Sequence, residues 1–243
     1  MSWFDWFRRR DGNLQKPQNS NPLAGKPLRY LIGADNAGDG HPDEITEVPY
    51  GAPPVKHGIS IGYCNLLDEN YSLRQCGPYL KQSDTAEQYA EGVIDPKGHG
   101  WLYNLSTQFK VRLKQRFEYI ELDNPDAYDV ADVIGAIEIA AQYGLKVIAK
   151  NPGLMERGSH GYVAHPNVFG IIVEKGAGDP GRMDALRRQA GKPDLPVWFV
   201  AFGDGRQWAG DVASIAQRCR NMGVTFSSRS EYGSSEDIVR PRP

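Results

Sequence analysis

Apolar positions along the chain change period at regular intervals, and the changes are clearest in the second half. Phe117-Glu-Tyr-Ile-Glu-Leu122 is aromatic and branched enough for a strand, which Asp123-Asn-Pro-Asp126 breaks. From Ala127 to Tyr143, Val130, Val133, Ile134, Ile137 and Ala141 share one helical face, and Gly144 is placed to stop the helix. Leu145–Ala149 returns as a strand and completes a βαβ unit. The rhythm then repeats, with a strand at Val168–Val173, a short helix at Arg182–Ala190 and a strand at Pro196–Phe202 that is apolar on both faces. Val212, Ile215, Ala216, Cys219 and Met222 predict one more helix, closed by Gly223, and Val224–Phe226 opens a last strand.

The first half carries fewer such signals. Tyr30–Ala34 and Ile59–Tyr63 read as strands, and the Pro- and Gly-rich stretch between them predicts no helix. Ser83–Glu91 reads as a helix and Trp101–Leu105 as a short strand or loop. Repeated strand–helix units in 243 residues predict an α/β fold of the (β/α)8 TIM-barrel type, irregular in its N-terminal half. A doubly wound open sheet is the competing fold, weakened because no nucleotide-binding fingerprint follows any strand. The polar, Asn-, Gln- and Pro-containing stretch up to Lys26 sets the domain plan. Residues 1–26 are expected as a flexible segment, 27–230 as one barrel domain and 231–243 as a loose tail.

Composition narrows the partners. A formal net charge of -2 supplies no basic field for nucleic acid or an anionic membrane. No run approaches the ~18 apolar residues that cross a bilayer. Met1-Ser-Trp-Phe-Asp-Trp-Phe-Arg-Arg-Arg10 puts its charges after a short apolar stretch, unlike a secretory signal. A cytoplasmic location is therefore the default expectation, with export by another route as the alternative. Cys64, Cys76 and Cys219 match no zinc or redox spacing and read as buried thiols, with a Cys64–Cys76 disulfide conceivable after export.

Functional groups in parallel α/β folds gather at the carboxyl ends of strands. Those ends here supply Asp123, Asn124 and Asp126, then Lys150 and Asn151, then Glu174 and Lys175, then Asp204; Asp35 follows the first strand. Asp123 and Glu174 end two strands separated by one other, and two carboxylates across a cleft are what glycoside hydrolysis requires. Lys150, on the strand between them, would supply the counter-charge to Asp123. The plainer alternative is that Asp123 or Asp126 caps the helix that follows.

Several of these segments together resemble glycoside hydrolase family 114, the endo-α-1,4-polygalactosaminidase-like barrels. Arg112-Leu113 followed by a strand ending in Asp123-Asn-Pro-Asp-Ala-Tyr128 is similar to that family's Arg-Leu and Asp-Asn-x-Asp-x-Tyr pattern. Gly144-Leu-Lys-Val-Ile-Ala-Lys-Asn151 resembles its Gly-Leu-x-Val-x-x-Lys-Asn strand, and Phe169-Gly-Ile-Ile-Val-Glu174 its strand ending in a catalytic Glu. The resemblance runs over about residues 100 to 204. It implies a retaining hydrolase of an α-linked polysaccharide, amino-sugar polymers included, with Asp123 as nucleophile and Glu174 as acid/base. Asn124, Asp126, Tyr128, Lys150 and Asn151 would line the sugar-binding floor. Independently of the resemblance, the polar loop that Asp35 opens after the first strand either borders the cleft or is only a turn.

Two carboxylates and a water suffice for that chemistry, so no cofactor and no metal is implied. Where the chain departs from the family, at Tyr103-Asn104 and after Glu174, the alternative is a saccharide-binding barrel without turnover. His160 and His165 lie in a loop after the Lys150 strand, without further ligands nearby, and read as solvated or substrate-contacting. Ser159-His160 lacks the setting of a nucleophile elbow, which excludes a serine hydrolase of that kind.

Overall fold

The alternating strands and helices assemble around one curled sheet. The computed structural model describes residues 21–30, 38–50, 52–69, 79–82, 91–152, 158–174, 180–201, 217–219, 221, 225–228 and 236–239. Eight strands run parallel in chain order: β1 (Leu28–Tyr30), β2 (Gly40–Val48), β3 (His57–Asn65), β7 (Tyr119–Asp123), β8 (Lys146–Lys150), β9 (Val168–Val173), β10 (Val197–Ala201) and β11 (Thr225–Ser228). The sheet curls until β1 and β11 bring Cα atoms within 8 Å of each other. This is a TIM-barrel-like α/β fold. Between β3 and β7 the chain adds an antiparallel sheet of β4 (Asp68–Glu69), β5 (Tyr79–Gln82) and β6 (Glu91–Ile94), in the order β4-β6-β5. Among the described residues the α-helices with assigned bounds are α1 (His99–Lys114), α2 (Val130–Gln142), α3 (Ser159–Val163) and α4 (Pro180–Gln189).

Period-two alternation along the strands sorts the apolar residues into two cores. Leu28, Tyr30, Ile45, Ile61, Tyr119, Ile148, Ile172, Trp198 and Val200 pack together inside the barrel. Ile120, Leu122, Val147, Ala149, Ile171, Val173, Val197 and Phe199 point the other way, against Trp101, Leu105 and Phe109 of α1 and Val133, Ala136 and Ile137 of α2. Gly170 makes room for the largest inward side chain, since a Cβ there would meet the Trp198 ring at 2.5 Å. The described second-half elements from β7 to β11 form where the hydrophobic pattern places them, and Gly144 takes a φ of 75° just past α2, whereas most of the helix expected over Val212–Met222 lies outside the described residues.

Four regions differ from the sequence reading. Trp101–Leu105 belongs to α1, whose buried face mixes Trp101, Leu105 and Phe109 with Asn104, Gln108 and Arg112. The polar members conceal the helical period. Strand β2 occupies the Pro- and Gly-rich stretch, and its inner face includes a buried Glu47. Asn21–Lys26 is not loose: Leu23 is buried in the barrel interior, Asn21 Nδ2 donates to Phe169 O at 2.8 Å, and Lys26 O accepts from Trp198 Nε1 at 2.9 Å. In the tail, Glu236–Val239 forms β12, antiparallel to β11.

Cys64 and Cys219 are buried, whereas Cys76 lies outside the described residues. Residues 1–20 and Asp204 also lie outside them, as does all of the expected Ser83–Glu91 helix but Glu91, which opens β6. Among the described residues no helix is long and apolar enough to cross a membrane.

Candidate active site

Two residues beyond the apolar layer, the same inward faces turn polar. Tyr30, Glu47, Tyr63, Glu121 and Lys150 follow Leu28, Ile45, Ile61, Tyr119 and Ile148, and Glu174 follows Ile172. The Lys150 ammonium sits at the centre. Its Nζ is 3.1 Å from Glu121 Oε1, 3.1 Å from Asp123 Oδ2 and 3.3 Å from Glu174 Oε1. The Tyr30 and Tyr63 rings flank it, with centroids at 5.4 and 5.5 Å. Side-chain exposure divides the three acids: Glu121 has 0%, while Asp123 has 15% and Glu174 has 17%. Asp123 and Glu174 are thus the pair within reach of a solute, and Glu121 lies beneath them.

Electrostatics follow from one cation among several acids. Burial pulls the Lys150 ammonium down, but Asp123, Glu121 and Glu174 outweigh it and hold the pKa well above the ordinary lysine value. Burial is also the largest effect on Glu121. It pushes that carboxyl up to about 7, with Asp123 and Glu174 adding and Lys150 opposing. The Tyr30 phenol is raised well above its usual range by burial and then by Glu121, Glu174, Glu47 and Asp123. It remains a hydrogen-bond donor, giving to Glu174 Oε1 at 2.9 Å and approaching Glu121 Oε1 at 3.3 Å.

Local backbone geometry aims the exposed pair. Asn124 takes the left-handed conformation, with φ 58° and ψ 42°, which asparagine tolerates better than other non-glycine residues. That bend turns its N–H back onto Asp123 Oδ1 at 2.8 Å, while the Tyr63 hydroxyl donates to Oδ2 at 3.0 Å. Asn151 repeats the device at the end of β8, with φ 47°. Its Nδ2 donates to Glu174 Oε2 at 3.2 Å, and its Oδ1 accepts the Glu174 N–H at 2.7 Å. Each exposed carboxylate is therefore held by an asparagine at a strand end.

A buried amide chain braces the Asp123 side. Asn124 Nδ2 donates to Asn65 Oδ1 at 2.8 Å, and Gln108 of α1 pairs with the Asn65 backbone at 2.8 and 2.7 Å. Arg112 donates twice to Tyr63 O, at 3.1 and 2.6 Å, with its guanidinium over the Phe117 ring.

Of the residues singled out from the sequence, the structure brings Asp123, Glu174, Lys150, Asn124 and Asn151 together. Tyr128 and Asp126 do not join them. Tyr128, expected at the sugar-binding floor, is packed in the outer core 4.6 Å from the Trp101 ring. Its hydroxyl donates to Leu66 O at 3.0 Å and accepts from Ile94 N at 3.1 Å, tying the small sheet to the barrel. Asp126 is exposed in the 3-10 turn Pro125–Ala127, and the N-cap residue of α2 is Asp129, which makes no side-chain cap hydrogen bond. Asp35 and Lys175 lie outside the described residues. His165 precedes β9, so it lies at the opposite end of the barrel from the mouth, and burial lowers its pKa. Sequence reasoning missed Glu121, Tyr30, Tyr63 and Asn65. Glu121 had a usable signal, since it lies two residues before Asp123 and hence on the same strand face.

No protein-family model and no curated protein matches the chain. Among solved structures it is similar to Ega3 of Aspergillus fumigatus, determined in complex with galactosamine. The TM-score is 0.64 at 12% identity, covering 93% of this chain and 100% of that one. It is also similar to the glycoside hydrolase domain of PelA from Pseudomonas aeruginosa, solved as a variant. There the TM-score is 0.55 at 12% identity, covering 86% and 98%. At these identities the likeness is one of fold.

Proposed function

We propose that this chain is a retaining glycoside hydrolase that cleaves an α-linked polysaccharide containing amino sugars. One observation carries the reading: the two partly exposed carboxylates, Asp123 and Glu174, contact the same Lys150 ammonium at the mouth of the barrel. Both carboxylates reach one ammonium, at 3.1 and 3.3 Å, an arrangement that admits the ~5 to 5.5 Å separation of a retaining pair. The fold shared with a glycoside hydrolase domain and with a galactosamine-bound protein supports the substrate class.

Asp123 is the nucleophile in this reading. It attacks the anomeric carbon as the glycosidic C–O bond breaks, and Glu174 gives its proton to the leaving oxygen. Water then attacks the glycosyl ester, and its proton returns to Glu174. Asn124 and Tyr63 fix the Asp123 carboxylate, and Asn151 fixes Glu174, so little reorganisation is needed during reaction. A mouth holding Glu47, Glu121, Asp123 and Glu174 against Lys150 suits a protonated amino sugar better than an anionic one.

The test is hydrolysis of a panel of α-linked glycans, galactosamine polymers included, by wild type, Asp123→Asn and Glu174→Gln. Wild type cleaves, and Glu174→Gln loses about 10²- to 10⁴-fold, the usual share of general acid–base catalysis. Asp123→Asn loses at least as much. Binding retained by all three proteins without cleavage by any would replace this reading with that of a saccharide-binding barrel.

A further inference from the structure

Glu121 is fully buried and lies beneath the two proposed catalytic acids, yet the mechanism above does not use it. Three carboxylates converge on one ammonium, an arrangement that favours holding a proton among them. The hydrogen bonds indicate where it goes. The Tyr30 hydroxyl stands between Glu174 Oε1 at 2.9 Å and Glu121 Oε1 at 3.3 Å. A phenol can donate to one oxygen while accepting from the other. Glu121 Oε2 has no hydrogen-bond partner among the described residues, so a proton on Glu121 is best placed on Oε1, facing Tyr30.

We propose that Glu121 and Glu174 share one proton through the Tyr30 hydroxyl, with Glu121 the buried store and Glu174 the end that meets substrate. In one arrangement the proton is on Glu121 Oε1, and Tyr30 accepts it while donating to the Glu174 carboxylate. In the other, Glu121 gives that proton to the Tyr30 oxygen as the phenol passes its own to Glu174. No tyrosinate forms and the pair's charge is unchanged. Glu121 and Tyr30 are positioning residues here, since neither touches the sugar. The inference rests on Glu174 as the acid, but its principal test needs no substrate.

The charged and titratable groups around Glu121 are consistent with this. Among the described residues they are Tyr30 on β1, Glu47 on β2, Tyr63 on β3, Asp123 on its own strand, Lys150 on β8 and Glu174 after β9. Lys150 is the one cation among them. Glu121 titrates near neutrality through burial and then through Asp123 and Glu174. Glu47 also acts on Tyr30, raising the phenol and keeping it protonated.

The experiment follows the protonated-carboxyl infrared band of the whole protein against pH in wild type, Glu121→Gln, Glu174→Gln and Tyr30→Phe. Folding of each is first checked by circular dichroism. Wild type shows a carboxyl with its midpoint at about 7, and Glu121→Gln loses that titration. Glu174→Gln moves the midpoint down by roughly one pH unit or more, the signature of coupled sites. Tyr30→Phe also lowers it, because only the singly protonated pair uses both sides of the hydroxyl. A midpoint unmoved in Glu174→Gln, or unmoved or raised in Tyr30→Phe, would overturn the proposal. So would a wild type with every carboxyl ionised at neutrality. In a second arm, the alkaline limb of hydrolysis follows the spectroscopic midpoint in wild type and Tyr30→Phe. A limb that stays put while the band moves would also overturn it. If no glycan is cleaved, the function fails separately and the infrared titration decides the shared proton by itself.

Discussion

The floor and the mouth of the barrel are built by the same strands on the same inward faces, one pleat apart. At the floor, Leu28, Ile45, Ile61, Tyr119, Ile148, Ile172 and Trp198 fit by volume, with Gly170 left bare for the Trp198 ring. At the mouth, Tyr30, Glu47, Tyr63, Glu121, Lys150 and Glu174 fit by charge and hydrogen bonding. Two residues along a strand, about 6.6 Å, separate a layer that resists any change in size from one that resists any change in charge. The chemistry begins where apolar packing stops, and the rigidity beneath it holds the acids in place.

Substitutions can break this comparison in order of size. Lys150→Met keeps the volume and removes the one cation at the centre of the cluster, leaving the buried Glu121 and the partly exposed Asp123 and Glu174 without their ion partner. It should cost about 3 to 5 kcal/mol, read as a lowered urea midpoint. The deficit should shrink as pH falls, because the stranded carboxylates then protonate. A deficit that stayed constant with pH would mean the mouth is held by shape, as the floor is. Gly170→Ala tests the floor in return. Its Cβ would lie 2.5 Å from the Trp198 ring, and overpacking of this kind costs about 1 to 3 kcal/mol. The loss should be independent of pH, in contrast to Lys150→Met. Tyr128→Phe touches neither layer. Losing the hydroxyl that bridges Leu66 O and Ile94 N should cost about 1 kcal/mol and appear as faster hydrogen exchange at the Ile94 amide.

The parts of this architecture that could be read from sequence are those whose burial is apolar. Strands β7 to β10 and helix α2 carry continuous apolar runs or a clean helical face, and the protein forms them where that pattern lies. Helix α1 and strand β2 were hidden by buried polar residues. Asn104, Gln108 and Arg112 face inward because Leu67 O, Asn65 and Tyr63 O await them, and those partners are distant in sequence. The site was partly legible for the same reason. Asp123, Lys150 and Glu174 stand at strand ends, where the fold rule points. Tyr30 and Tyr63 read as ordinary strand aromatics, and Glu121 as a polar residue within a strand, until the barrel closes. Tyr128 shows the converse, a residue in a functional-looking motif whose hydroxyl serves the backbone.

The turn at Asn21–Lys26 has a consequence in time. Asn21 is bound to Phe169 and Lys26 to Trp198, contacts spanning 148 and 172 residues, with Leu23 inserted between them into the interior. During synthesis the early turn leaves the ribosome long before the strands that receive it, so the barrel floor cannot close until most of the chain has emerged. Such long-range closure slows folding. Until then Leu23 and the inward faces of β1 to β3 stay uncovered, and that interval is when the nascent chain has most need of a chaperone.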